Sequence, residues 1–579
     1  MSSGIGAAPI EAPLLVTAAF DTVDAAVDFN GGPALRSKHG RWRSATYIIG
    51  VEVAERIAYF GVTSNLISYL TGPLRLSTAA AAANVNAWNG VASLLPVLGA
   101  VIADSFLGRY RTIVISSVIY ILALSLLTLL AMLPSTSSLN SKTVVNDLLG
   151  FSQPTKTFAI FFSLYLIAFG QSGHKPCVQA FGADQFDGQD PQESREKSSF
   201  FNWWYMGTNL GPLLVVSFLN YIQDNFGWAL GFGIPCIVMV TALVVFLLGS
   251  LTYRYTVKSE EQSAFWRIGR VFAVATRNWN TKQSTIDVRE EAQGFNPSHD
   301  SQLLRFLNKA LVSSPTGSYD KNKECSMSEV EEAKAVLRLC PIWATCLVYA
   351  MVFSQQSTFF TKQGLTMDRS VGPSFSVPPS SLQSFIGLSI VLFIPIYDRV
   401  FVPTVRALTG KPAGITTLQR IGIGMFTSIL SMVIAAMVEK KRLLTALQHG
   451  LMDLPNETVP MSVWWLVPQY VLFGVADVFT MVGLQEFFYD QVPTELRSVG
   501  LSLYLSVFGT GSLLSSLLVF IIDKTTGGGG GQDSWFANNL NRAHLDYFYL
   551  LLAGLSAIEI VLFVYFSKSY IYKRNSATL

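Results

Sequence analysis

Glu52, Glu55, Arg56 and Tyr59 lie in SATYIIGVEVAERIAYFGVTSNLISYL, residues 44–70, a stretch otherwise apolar and long enough to cross a bilayer. At about 100° per residue on a helix, the four fall within an arc of roughly 100°. Such a stripe cannot face lipid. At the membrane centre each buried Glu or Arg costs about 2.5–3.5 kcal/mol, so the three together cost roughly 8 kcal/mol unless they meet one another or a wet cavity. On a soluble helix, Glu52 and Arg56 would form an ordinary i, i+4 pair worth about 0.3–0.5 kcal/mol. The membrane-like flanks favour the first reading, and a charged cluster that costly inside a span is a candidate functional site.

A second anomaly is FGQSGHKPCVQAFGADQF, residues 169–186. Lys175 sits about seven residues from the end of its apolar segment, roughly 10 Å deep. It could snorkel to the interface, but pairing with Glu52 or Glu55 leaves fewer unpaired buried charges and is the expectation here. The surrounding glycines would let another helix approach closely, and Pro176 would free a carbonyl beside the lysine.

The elements that must position these residues are membrane spans. The chain has 579 residues, of which 50% are hydrophobic and only 14% charged, against about 25% charged in soluble proteins. Apolar segments recur near 45–70, 84–103, 112–133, 157–181, 199–221 and 228–251, then near 339–361, 380–400, 415–438, 463–489, 498–522 and 545–567. The expectation is an all-α polytopic membrane protein with twelve transmembrane helices. It divides into an N-terminal tail (1–43), a first six-helix half (44–251), a linker (252–335), a second six-helix half (336–569) and a C-terminal tail (570–579). Residues 1–43 lack the basic start of a cleavable signal and read as a mobile tail ending in Arg36, Lys38, Arg41 and Arg43. Lys and Arg are denser on that side, so both termini are expected in the cytoplasm. Lys440, Lys441 and Arg442 fall on the wrong side of this rule. The sequon Asn456-Glu457-Thr458 falls in an outside loop and is a candidate glycosylation site.

The linker contains SAFWRIGRVFAVATRNW, residues 263–279, with Arg267, Arg270 and Arg277 at helical spacing. It reads as an amphipathic helix, lying either on the membrane face or against the protein's underside. The two halves echo each other: Asp104, Gly108, Arg109 and Arg111 follow the second span, while Asp398, Arg399 and Arg420 follow the eighth. Asp104, Arg109, Asp398 and Arg399 are therefore expected to form a cytoplasmic gate in a two-domain rocker.

Other classes fit poorly. A net charge of +3 with no basic–aromatic run gives no case for nucleic acid. Five cysteines without a CxxC and five scattered histidines indicate neither a disulfide framework nor a metal site. No G-x-x-x-x-G-K-[ST] is present for nucleotide, Gly410-Lys411 lacking its neighbours, and no nucleophile elbow or paired-histidine motif suggests an enzyme.

Several motifs together resemble the proton-coupled oligopeptide transporter (POT) family, and within it the plant nitrate/peptide branch. They are Glu52-x-x-Glu55-Arg56 with Tyr59 and Gly61, the run 169–186, Phe201-Asn202-Trp203-Trp204-Tyr205, Pro395-Ile396-Tyr397-Asp398-Arg399 and Pro468-Gln469-Tyr470. The resemblance spans about residues 40–570 and implies a major facilitator fold, two six-helix bundles around a cavity opening alternately to each side. It implies proton-driven symport of nitrate, di- or tripeptides or other small organic anions, with Glu52 and Glu55 as proton carriers and Arg56 and Lys175 as charge partners and substrate contacts. A substrate-sensing or uncoupled protein of the same fold is the alternative. No cofactor is implied beyond the proton. A carboxylate held by a cation stays ionised, and one parted from it in a dry cavity takes up a proton. Each proton moved across 100 mV supplies about 2.3 kcal/mol.

The resemblance implies further cavity residues: Tyr59, Phe353, Gln356 and Asp477. Asp477 stands where the family usually has Glu, and Phe353 where the best-known nitrate transporter of the branch has histidine. Thr112 aligns with a position phosphorylated in that transporter, which would make a regulatory kinase a partner alongside substrate and lipid; the other reading of a threonine that starts a helix is a simple cap. The membrane is the plasma membrane or the vacuolar membrane.

Overall fold

The computed structural model describes residues 22–133, 153–187, 190–256, 264–279, 304–311, 325–372, 375–409, 415–492, 497–527 and 534–570. The Gly527–Gly531 loop and the C-terminal tail lie largely outside them.

The first half is built from α1 (Arg41–Thr63), α2 (Thr78–Ile102), α3 (Arg109–Met132), α4 (Gln153–Ala183), α5 (Pro191–Leu214) and α6 (Trp228–Leu248). The linker contributes α7 (Ala264–Arg277) and α8 (Met327–Leu337). The second half holds α9 (Cys340–Ala344), α10 (Leu347–Phe353), α11 (Phe359–Leu365), α12 (Ser384–Ile396), α13 (Val402–Thr409), α14 (Thr417–Gln448), α15 (Val467–Asp490), α16 (Arg497–Thr526) and α17 (Leu545–Ser569). Every apolar segment of the sequence is helical in its described part. Among the described residues, eight helices are long and apolar enough to cross a membrane, nine when Met327–Ala344 and Leu347–Leu365, bent by 54°, count as one span. The three predicted spans outside that set are α1, α4 and α5, which carry the polar side chains.

Local sequence sets the ends. Ser77 caps α2, Asp190 caps α5 ahead of Pro191, and Thr416 with Gln419 closes a capping box on α14. The echo between halves has a structural form: Ala103–Leu107 and Tyr397–Phe401 are both π-helical turns, at matching ends of the second and eighth spans. Gly108, at φ 77°, then turns the chain into α3.

Small residues bring the halves together. A Cβ on Gly90 would lie 2.9 Å from Gly509 O, and one on Gly509 3.0 Å from Gly90 O, so α2 and α16 pack backbone to backbone. Asn86 and Gln355 both donate to Ser515 Oγ at 3.0 Å. Toward the end away from the chain termini, Lys362 reaches Thr71 at 3.1 Å, Ser381 reaches Val216 O at 2.7 Å and Gln383 reaches Ser64 O at 3.1 Å. These contacts latch the halves on that side.

The expected mobile tail is folded where it is described. Strands β1 (Thr22–Val27) and β2 (Pro33–Leu35) form an antiparallel sheet with β3 (Tyr255–Thr256) in the order β2-β1-β3. Buried Arg254 fastens this strap, donating to Glu193 at 2.6 Å, His39 O at 2.9 Å and Gln185 O at 3.1 Å. Arg36 pairs with Asp187 at 2.5 Å, so part of the tail's basic run is spent on neighbouring acids. The linker resolves in favour of the underside: Ile268, Val271 and Ala275 of α7 are buried in one cluster with Leu307, Leu311 and Val330.

Candidate functional site

On α1, Arg56 Nε lies 2.8 Å from Glu52 Oε1 and 3.0 Å from Glu55 Oε2. The Glu52 and Glu55 side chains are 2% and 0% exposed while that of Arg56 keeps 11%, so Arg56 is the least buried member of the trio. Glu52 Oε2 and both oxygens of Glu55 are buried without a hydrogen-bond partner. One cation thus serves two buried acids, and a charge change on either alters its hold on the other. Gly211 of α5 makes this possible, because a Cβ there would lie 2.5 Å from Arg56 Cβ.

Lys175 departs from the sequence expectation. It is half-buried on α4 and feels Arg56, Glu55 and Glu52 electrostatically. Among the described residues no carboxylate oxygen lies within 4.0 Å of its Nζ, and the direct pair with Glu52 or Glu55 is not formed. The reason is competition: Arg56, on the same helix as both acids, already occupies them. The expected helix approach does hold. A Cβ on Gly99 would lie 2.1 Å from Ser172 O, the carbonyl that Pro176 leaves without its helical donor, and one on Gly173 would lie 2.3 Å from Ser116 Oγ.

Next to Lys175, His174 is fully buried with both ring nitrogens unpartnered, as are Gln171 and the Tyr120 hydroxyl. Tyr59 stacks on Trp88 at 5.9 Å between centroids.

In the second half, Tyr349 of α10 donates its hydroxyl to Asp477 Oδ1 of α15 at 2.5 Å, both residues buried. Phe353 packs edge-on against Phe508 at 5.1 Å and tilted against Phe473 at 6.0 Å, in one aromatic cluster with Tyr349. Gln356 is half-buried, and its neighbour Gln355 carries the hydrogen bonds. Sequence reasoning missed Tyr349 and Glu559. The latter is a lone acid in the middle of the last span, the same signal that singled out α1.

Of the gate residues, the partners described for Arg109 and for the neighbouring Arg420 lie within their own halves. Arg109 pairs with Asp184, within the first half. Its counterpart Arg420 lies over the Tyr397 ring at 4.4 Å and donates to Val478 O at 3.0 Å, within the second. Arg399 is exposed, and the side chains of Asp104 and Asp398 lie outside the described residues. Thr112 is buried, its hydroxyl donating to Gly108 O at 2.9 Å and its methyl under Gly173, which closes it to a kinase in this conformation. Asn456 is exposed on its loop.

Residues 110–536 match the POT family. The chain belongs to that family. Among its relatives, the protein NRT1/PTR FAMILY 5.10 of Arabidopsis thaliana is 61% identical over 549 residues, covering 95% of this chain and 96% of the relative. NRT1/PTR FAMILY 5.14 of the same plant is 58% identical over 552 residues, with the same coverage. The fold matches an auto-inhibited POT family peptide transporter with a TM-score of 0.68 at 22% identity, over 93% of this chain and 99% of that one. A POT family transporter in complex with 5-aminolevulinic acid matches with a TM-score of 0.61 at 18% identity, over 92% and 99%. This POT-family protein is therefore a membrane transporter with a major-facilitator-type fold, and its relatives and structural neighbours are transporters rather than enzymes.

Proposed function

We propose that this transporter is a proton-coupled symporter of small anionic or zwitterionic solutes, with Glu52 and Glu55 carrying protons and Arg56 and Lys175 receiving the substrate's negative group. One observation carries the reading: a single arginine binds two buried carboxylates while a second cation, Lys175, stands within their field with no carboxylate of its own within 4.0 Å among the described residues. An arriving anion finds Lys175 open and competes with Glu52 and Glu55 for Arg56. A carboxylate displaced from Arg56 in a dry cavity takes up a proton, which links substrate binding to protonation. Asp477, held by Tyr349, offers an acid on the opposite wall for a cationic amine, which would favour zwitterions such as peptides. Phe353 supplies no positive charge, so nitrate would rest on Arg56 and Lys175 alone.

The latch on the side away from the termini supports an inward-facing state, with the termini in the cytoplasm. For a monovalent anion, one proton makes an electrically silent cycle and two make it respond to voltage. The test is uptake of a labelled panel (nitrate, a dipeptide, a small organic anion) into proteoliposomes, with and without an inward proton gradient. Accumulation of one class that collapses with the gradient supports symport; accumulation of none, with binding intact, turns the reading to a sensor.

A further inference from the structure

The seventh predicted span is broken between Ala344 and Leu347, and its two arms are bent by 54°. A break of this kind strips the first amides of the second arm of the carbonyls four residues back. Ala350 N reaches Cys346 O at 3.3 Å. The amides of Val348 and Tyr349 turn instead to a side chain from another helix, donating to Glu559 Oε1 of α17 at 2.6 and 3.1 Å. Glu559 is 4% exposed, and its Oε2 is buried with no hydrogen-bond partner. Tyr349 links Glu559 to Asp477, since the residue whose amide donates to Glu559 is the one whose hydroxyl holds Asp477.

We propose that Glu559 is a positioning residue of the transport cycle: its carboxylate holds the seventh span bent, sets Tyr349 and with it Asp477, and on protonation lets the span straighten. In a continuous helix the Val348 and Tyr349 amides bond to the carbonyls of Ala344 and Thr345, and Glu559 loses both donors at once. An ionised carboxylate without donors in that dry setting is costly, whereas the protonated acid tolerates it far better. The charged form therefore favours the bent span, and the proton shifts the population toward the straight one. The helix of Glu559 packs on α9, α10 and α14. The titratable groups that seventh-span elements bring to it are Cys340, Cys346 and Tyr349, and α14 has none between Arg420 and Glu439. No cation stands among the electrostatic neighbours of Glu559.

The proposal rests on the symporter reading only for its effect on uptake; the change of bend is independent of it. Its test is an electron-paramagnetic distance between spin labels at Ser328 and Ser370, both exposed and flanking the span, in nanodiscs at acid and at neutral pH. Arms of about 27 and 28 Å straightened from the observed bend lengthen the span by about 6 Å. In the otherwise native sequence the longer distance should gain population at acid pH. Glu559→Gln should give the same distribution at both pH values, Glu559→Asp should keep the response, and Asp477→Asn should leave it intact, which assigns it to Glu559. A Glu559→Gln variant that retains the native response overturns the proposal. So does a native distribution that does not change with pH, which decides the matter even if the glutamine variant fails to accumulate. Uptake insensitive to protons would remove the symporter reading and leave the distance change standing.

Discussion

Arg56 Nε lies 3.0 Å from Glu55 Oε2, yet neither oxygen of that carboxylate receives a hydrogen bond. Glu55 is held by charge alone, which makes it the acid most easily released when an anion draws Arg56 away. Glu52, by contrast, accepts a hydrogen bond from Arg56 at 2.8 Å.

Glu55→Gln is accordingly expected to abolish acid-stimulated uptake while leaving counterflow exchange of substrate across the membrane. Both are read with the same labelled solute in proteoliposomes, and acid-stimulated uptake at the native level in this variant would remove Glu55 from the proton path.

Among the described residues no carboxylate lies within 4.0 Å of the Lys175 amine, so Lys175→Ala should not lower thermal stability appreciably. A hydrogen bond to a charged group is worth about 1.5–3 kcal/mol, so substrate affinity should fall roughly ten- to hundredfold. A drop in melting temperature with unchanged affinity would mean that the lysine supports the fold instead.

Gly211→Ala places a methyl 2.5 Å from Arg56 Cβ and 3.1 Å from Val53 O. Overpacking of this sort costs about 1–3 kcal/mol. It should displace α5 from the charged turn of α1 and reduce uptake. Gly554→Ala, where nothing lies within 4 Å, is the control expected to behave as the native protein.

Arg442→Ala should be among the most destabilising changes in the second half. Arg442 and Glu439 are both 0% exposed and 2.7 Å apart, and Arg442 also donates to Asn541 Oδ1 at 2.8 Å. Removing one partner of a buried pair costs about 3–5 kcal/mol. Thermal unfolding in detergent reads this directly, and a shift no larger than that of an exposed substitution would contradict it.

Phe353→His probes anion selectivity. Because Phe353 is wedged between Phe473 and Phe508, the histidine should raise nitrate uptake at some cost to stability. If the native protein already carries nitrate well and the change does nothing, the phenylalanine does not restrict this substrate.

Much of this was legible in the sequence because hydrocarbon is a severe solvent. Glu52, Glu55 and Arg56 stood out since three charges on one apolar helix need one another or water, and the structure puts them together. The glycines around Lys175 announced close helix contacts for the same reason that Gly99 and Gly173 now make them. The lysine's partner could not be read. Both acids lie within a turn of Arg56 on its own helix, and the local pair wins over one that must cross between helices. Of Lys440, Lys441 and Arg442, which ran against the expected charge rule, two have tertiary partners: Arg442 is neutralised inside the protein, and Lys441 lies 3.3 Å over the Trp465 ring. The strap formed by β1 and β2 was invisible because its fixing residue, Arg254, lies more than two hundred positions away from them. Tyr349 and Glu559 meet only because the seventh span breaks, and no proline or glycine marks the break between Ala344 and Leu347.

The most direct test of proton coupling at α1 is the pH inside proteoliposomes, followed with a trapped dye while a transported solute is added outside. With the native sequence, each addition should acidify the lumen in step with solute entry, and Glu55→Gln should let solute exchange with no acidification. Solute entry with no proton movement in the native protein, or an unchanged proton signal in Glu55→Gln, would contradict the account.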